Sequence, residues 1–137
     1  MSNTKYLAYE AYKNFIDELV AYAKASCEAE RIKNGDKILP PFLVDKNADS
    51  DTYNKFIESL DDVQKTLLSN LLREERIGGF HDLLATLTWY IDCKGFGMTF
   101  HGQPMIVGVE GGLHQDFIGR LYGDWQWSEK PNSDNQD

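Results

Sequence analysis

Basic residues and cysteines are the scarcities that narrow the reading first. Fourteen Lys/Arg stand against twenty-two Asp/Glu, a formal net charge of -8 at pH 7. Phosphate backbones and anionic bilayers are bound by clustered Lys/Arg that displace counterions, so this balance argues against nucleic acid and membrane surface as partners. The only cysteines, Cys27 and Cys93, have neither CxxC nor zinc-ligand spacing and are expected as reduced thiols. Cys93 is expected to be buried and structural, because Asp92 opposes the thiolate that Lys94 would favour.

Long apolar runs are missing too. No stretch of eighteen apolar residues occurs, and Met1 to Glu10 lacks the basic region and apolar run of a secretory signal, so a cytoplasmic protein is expected. The chain has no HExxH, no GxxxxGK[ST], no GxGxxG and no GxSxG, which removes the zincin, phosphate-loop, dinucleotide and hydrolase-elbow fingerprints. No catalytic residue, metal or cofactor is assigned on this basis.

What is present is a chain of two compositional halves. Ten of eleven glycines and all three histidines and tryptophans follow Ile77, whereas the residues up to Ile77 hold eleven of fourteen Lys/Arg. A length of 137 residues with 42% hydrophobic and 12% aromatic content suits one globular domain, placed at residues 1–127, with a polar tail over 128–137.

Apolar spacing through Tyr12, Phe15, Ile16, Leu19, Val20, Ala23 and Cys27 predicts one long amphipathic helix from Asn3 or Thr4 to a cap at Asn34-Gly35. Asp36 to Ser50 reads as an extended connector that anchors on the core. A short helix capped by Ser50 or Asp51 follows, then one starting at Asp61 or Asp62 and ending in Arg73-Glu74-Glu75-Arg76. Gly78-Gly79 is expected to break the chain before a fourth, most buried helix carrying Phe80, Leu83, Leu84, Leu87 and Ile91.

Phe96 to Glu110 is the strand candidate. A Gly102-Gln103 type II′ turn would pair Phe100 with Met105, Met98 with Val107 and Phe96 with Val109 on one apolar face. The other face would pair Thr99 with Ile106 and set Gly97 opposite Gly108 as a bare groove floor. Gly111-Gly112 then opens a helix through Leu113, Phe117, Ile118 and Leu121 that Gly123 ends, and Trp125 and Trp127 would add a third strand or a flap. The expected fold class is therefore α+β, mainly helical, with four to five helices packed around one antiparallel hairpin at about 96–109.

His81, His101, His114 and Glu110 are the ligand-binding candidates, since imidazole and carboxylate suit acid-base and metal chemistry, although their spacing matches no ligand motif. An anion cradle at Gly111-Gly112 with Arg120 is opposed by Glu110 and Asp116. Trp89, Tyr90, Trp125 and Trp127 are the interface candidates, because Trp and Tyr anchor protein contacts. The expected function is a non-catalytic, acidic interaction or regulatory protein that binds a basic protein, inhibitor- or immunity-like by analogy, and forms a homodimer. The alternative is a small-molecule binder or small enzyme with its site in the Gly/His-rich half.

Overall fold

A computed structural model describes residues 3–38, 49–105, 107–109 and 111–127, with side chains from residue 5 onward. The protein is mainly helical α+β, and the described residues form five helices and one two-stranded antiparallel sheet. The chain divides into two compact units: residues 1–22 with 78–137, and residues 23–77.

The expected first helix is two helices, α1 (Asn3–Lys24) and α2 (Cys27–Asn34). The apolar period runs across the junction, but Ser26 leaves helical geometry and its hydroxyl accepts from the Ala29 amide, which starts a new helix. Gly35, at φ 76°, ends α2 in the left-handed conformation its sequence position implied. The connector expected between Asp36 and Ser50 falls mostly on residues 39–48, outside those described. Helix α3 (Ser50–Glu58) is capped by Asp49, one residue before the expected caps, through bonds from the Thr52 amide and hydroxyl. These bonds hold the exposed Asp49 carboxyl below its ordinary range.

Residues 23–77 pack on Ile32, Ile38 and Ile57, with Tyr53, Leu68 and Leu72 against them. Asn54 is buried there, receiving the Ile38 amide and donating to the Ile38 carbonyl, so the side-chain amide replaces a backbone partner. Arg73 pairs with Glu30.

Helix α4 (Asp62–Lys94) corrects two expectations. It begins at the expected acidic pair, where Asp61 and Gln64 exchange side-chain bonds with each other's amides as a capping box. It then runs unbroken through Gly78-Gly79, because two helical glycines cost only about 1 kcal/mol each against alanine while the flanking residues keep the helical period. Nor is its second half the most buried segment. Leu84 and Thr88 are buried, but Leu83 is 66% exposed. The most continuous buried face in residues 1–22 and 78–137 belongs to α1, with Ala8, Tyr9, Tyr12 and Ile16.

The hairpin consists of β1 (Thr99–Phe100) and β2 (Gln103–Pro104), with Thr99 opposite Pro104 and Phe100 opposite Gln103. The expected turn is thus displaced by one residue and the pairing register by two. Proline explains it: a Gly102-Gln103 turn would require an N–H from Pro104 to close on His101, and proline has none. The chain instead turns at His101-Gly102, both at positive φ (48° and 74°), as a type I′ turn requires, and Pro104 occupies a position that owes the ladder no donor. Met105 donates its amide to the Met98 carbonyl at 2.8 Å. A two-residue shift preserves faces, so Met98 and Phe100 still share a side, but Gly97 does not oppose Gly108, and no bare floor forms between them. Ile106 lies outside the described residues.

Helix α5 (Leu113–Tyr122) follows Gly111-Gly112 and ends at Gly123 (φ 74°), as its sequence implied. Residues 124–127 are not strand; Trp127 instead meets Tyr9 and Tyr12 edge-on, and the expected tail at 128–137 is outside the described residues.

Candidate functional site

Three features of residues 1–22 and 78–137 place polar or open apolar surface where chemistry or binding can occur. The first is a buried clamp. On α5, Leu113, Phe117 and Leu121 form the apolar stripe, and Asp116 sits on the same face, fully buried. The Tyr12 hydroxyl donates to Asp116 Oδ2 at 2.5 Å and accepts from the Gly108 amide at 3.0 Å, while the Val109 amide donates to the same Oδ2 at 2.8 Å. Burial, followed by the bond to the Asp116 carboxylate, pushes the Tyr12 hydroxyl well above the ordinary tyrosine range. Sequence reading missed this pair, although a carboxylate inside an apolar helical stripe was a legible signal that a buried partner existed.

The second feature joins two of the four ligand-binding candidates. Thr88 is buried on α4; its hydroxyl donates to the Leu84 carbonyl at 2.8 Å and accepts from the Leu113 amide at 3.0 Å, capping α5 where Gly112 has no side chain to do so. This contact brings His114 beside His81, with ring centroids 5.4 Å apart and planes nearly perpendicular. His114 Nδ1 lies 3.4 Å from Thr88 Oγ1, and His81 Nδ1 lies 3.2 Å from Asp82 Oδ1. His101 is not part of this pair; it is exposed in the hairpin turn against Phe100. Glu110 lies outside the described residues. No group of three or more His, Cys, Asp or Glu among the described residues is arranged to hold a metal.

Next to the histidines is a cavity of about 260 Å³ bounded by Thr88, Ile91 and Asp92 on one side and by Val107, Gly108 and Gly112 on the other. Its glycine wall is sterically fixed. A Cβ on Gly108 would stand 2.7 Å from the Gly112 backbone, and one on Gly112 would stand 2.7 Å from Thr88 Cγ2. Cys93 is exposed on α4 rather than buried, because the helix presents its Trp89-to-Lys94 end to solvent.

The third feature is an apolar groove of about 560 Å³. Helix α1 contributes Phe15 and Leu19, one turn apart, and α4 contributes Phe80, Leu83, Leu87 and Tyr90. Phe96, 57% exposed, closes one end by packing on Tyr90 at 5.0 Å. None of the lining residues is charged. Of the interface candidates, Tyr90 lines this groove and Trp89 is exposed beside it, edge-on to Tyr90 and under the Lys94 ammonium. Trp125 and Trp127 are half-buried: Trp125 lies against Gly119, where a Cβ would overlap its indole, and Trp127 donates to Asp17 at 3.0 Å.

These features describe a small helical α+β protein with a glycine-walled cavity and an open apolar groove. Residues 5–129 match the family described as "Family of unknown function (DUF6547)", and the chain belongs to that family. No curated protein and no solved structure matches it. No helix among the described residues is long and apolar enough to cross a membrane.

Proposed function

We propose that this is a non-catalytic protein-binding module, cytoplasmic and acidic, whose recognition surface is the groove between α1 and α4. The observation that carries this reading is an uncharged apolar trough of about 560 Å³ on a chain of net charge -8. Open apolar surface of that kind costs solubility unless something covers it, and the acidic remainder favours a basic partner by steering encounter. The test is co-purification with tagged protein. A partner retained by the wild type and by Phe56→Asp, a change at an exposed position outside the groove, but lost with Leu83→Asp supports the reading. Identical recovery with all three overturns it.

The homodimer belongs to the same proposal. Its support is the exposed stripe Val63, Leu67 and Leu71 on α4, spaced at four residues, which suits pairing with a second α4. Sedimentation as a monomer at tens of micromolar would remove it.

A small-molecule site is the second reading, favoured by the convergence of His81 and His114 beside the 260 Å³ cavity. A ligand whose chemical-shift changes centre on Thr88 and Gly112, rather than on Leu83 and Tyr90, would establish it.

A further inference from the structure

Resting on the protein-binding reading, we propose that the groove takes an amphipathic α-helix of about three turns from a partner protein, apolar on the entering face and edged with Lys or Arg. Backbone chemistry selects the helix. The groove walls are two helices that spend their backbone groups internally, and the lining offers only the Thr86 and Tyr90 hydroxyls as polar side-chain groups. An extended segment laid there would leave its N–H and C=O groups without partners, whereas a helix satisfies its own. Dimensions set the length: Phe80 to Tyr90 rises about 15 Å at 1.5 Å per residue, close to three turns.

Charge selects the edges. Glu18 is exposed beside Leu19, and Asp82 is exposed beside Leu83, with its carboxylate 3.2 Å from the ring of the neighbouring His81. Lys94 is spent on the Trp89 face. A basic-edged helix meets these acids with opposite charge, and its apolar residues at i, i+3, i+4 and i+7 match the helical spacing of the lining. Two other occupants fit less well. A second copy brings the same acidic rim and the same -8 charge, and Ser128 to Asp137 contains no Leu, Ile, Val, Met or aromatic residue to fill the groove.

The experiment titrates full-length protein into three fluorescent fourteen-residue peptides sharing one Leu/Phe face: Lys-edged, Glu-edged, and Lys-edged with two central prolines. The Lys-edged helix is expected to bind at least tenfold more tightly than either of the others. Leu83→Asp, at a two-thirds exposed position that tolerates a charge, should weaken it at least tenfold, while Phe56→Asp, at an exposed position on α3 outside the groove, should leave it unchanged. Glu18→Lys with Asp82→Lys should shift preference toward the Glu-edged peptide. Equal binding of the Glu-edged or proline-broken peptide overturns the proposed partner chemistry and leaves the protein-binding reading intact. Failure of all three peptides to bind overturns the helix proposal, and binding indifferent to Leu83→Asp overturns the groove as its site. A wild-type dimer dissociated by Leu83→Asp assigns the groove to a second copy and overturns the foreign helix.

Discussion

Tyr12 and Asp116, 104 residues apart in sequence, share a 2.5 Å hydrogen bond in the interior. The same hydroxyl and carboxylate hold the amides of Gly108 and Val109, so one buried pair fixes the loop that walls the cavity. Tyr12→Phe leaves the Gly108 amide without its acceptor and should cost about 2 kcal/mol in urea unfolding; Asp116→Ala, which strands a hydroxyl and an amide, should cost more. The raised folded-state value of Tyr12 gives a pH signature. Against the ordinary value of 10.0, its contribution is complete below pH 10 and declines as pH rises further, because the hydroxyl ionises more readily in the unfolded chain. Stability measured from pH 9 to 11 should fall less steeply in Tyr12→Phe than in the wild type. Equal slopes would contradict the assignment.

Gly78 and Gly79 lie inside α4 with nothing within 4 Å of where a Cβ would stand. No contact there requires glycine, and alanine is the better helix former by about 1 kcal/mol per residue. Gly78→Ala and Gly79→Ala should each raise the unfolding midpoint, and together add about 2 kcal/mol. A loss of stability would show that α4 needs flexibility at this point, where the two compact units adjoin in sequence.

Gly112 carries the opposite expectation. At φ 130° and with Thr88 Cγ2 2.7 Å from a built Cβ, alanine there is strained and must displace the residue that caps α5. Gly112→Ala should cost about 2 kcal/mol. Thr88→Val, similar in shape but without the acceptor for the Leu113 amide, should cost about 1 kcal/mol and speed amide exchange in the first turn of α5.

The parts of this fold that sequence revealed rest on local rules, and those it concealed depend on distant partners. Gly35 and Gly123 read as helix ends because left-handed backbone is a property of the residue itself, and Asp61 or Asp62 read as a start because a carboxylate favours the positive end of the helix dipole. The Ala25-Ser26 break was hidden by an apolar period that continues through it. Pro104 held the correct hairpin register in plain view, since its missing donor forbids the alternative, but pairing of oily residues outweighed that single constraint. The convergence of His81 with His114 required knowing that Thr88 caps α5, a contact spanning 25 residues that no spacing rule encodes. Asp116 is the case where a local signal existed but was missed: a carboxylate inside an apolar stripe implies a buried partner, though nothing near it in sequence identifies Tyr12.

Arg120 joins α5 to α1 and to the segment after Gly123. Its Nε and Nη2 donate to the two Asp17 carboxylate oxygens at 2.8 and 3.2 Å, and its Nη1 reaches the Trp125 carbonyl and the Gln126 side chain. Trp127 donates to the same Asp17 and lies near the guanidinium, 5.6 Å from its ring centroid. Lysine keeps the charge but cannot span both carboxylate oxygens while also holding the turn, so Arg120→Lys should cost roughly 1 kcal/mol, a modest figure because Asp17 is partly exposed. Tryptophan emission distinguishes this local release from general destabilisation. Under conditions where the variant is still folded, it should shift to the red as Trp125 and Trp127 gain water, and the added substitutions Trp125→Phe and Trp127→Phe should abolish the shift, leaving Trp89 as the remaining reporter. An unchanged spectrum in Arg120→Lys would mean that the ring contacts to Tyr9 and Tyr12 hold this segment without the guanidinium.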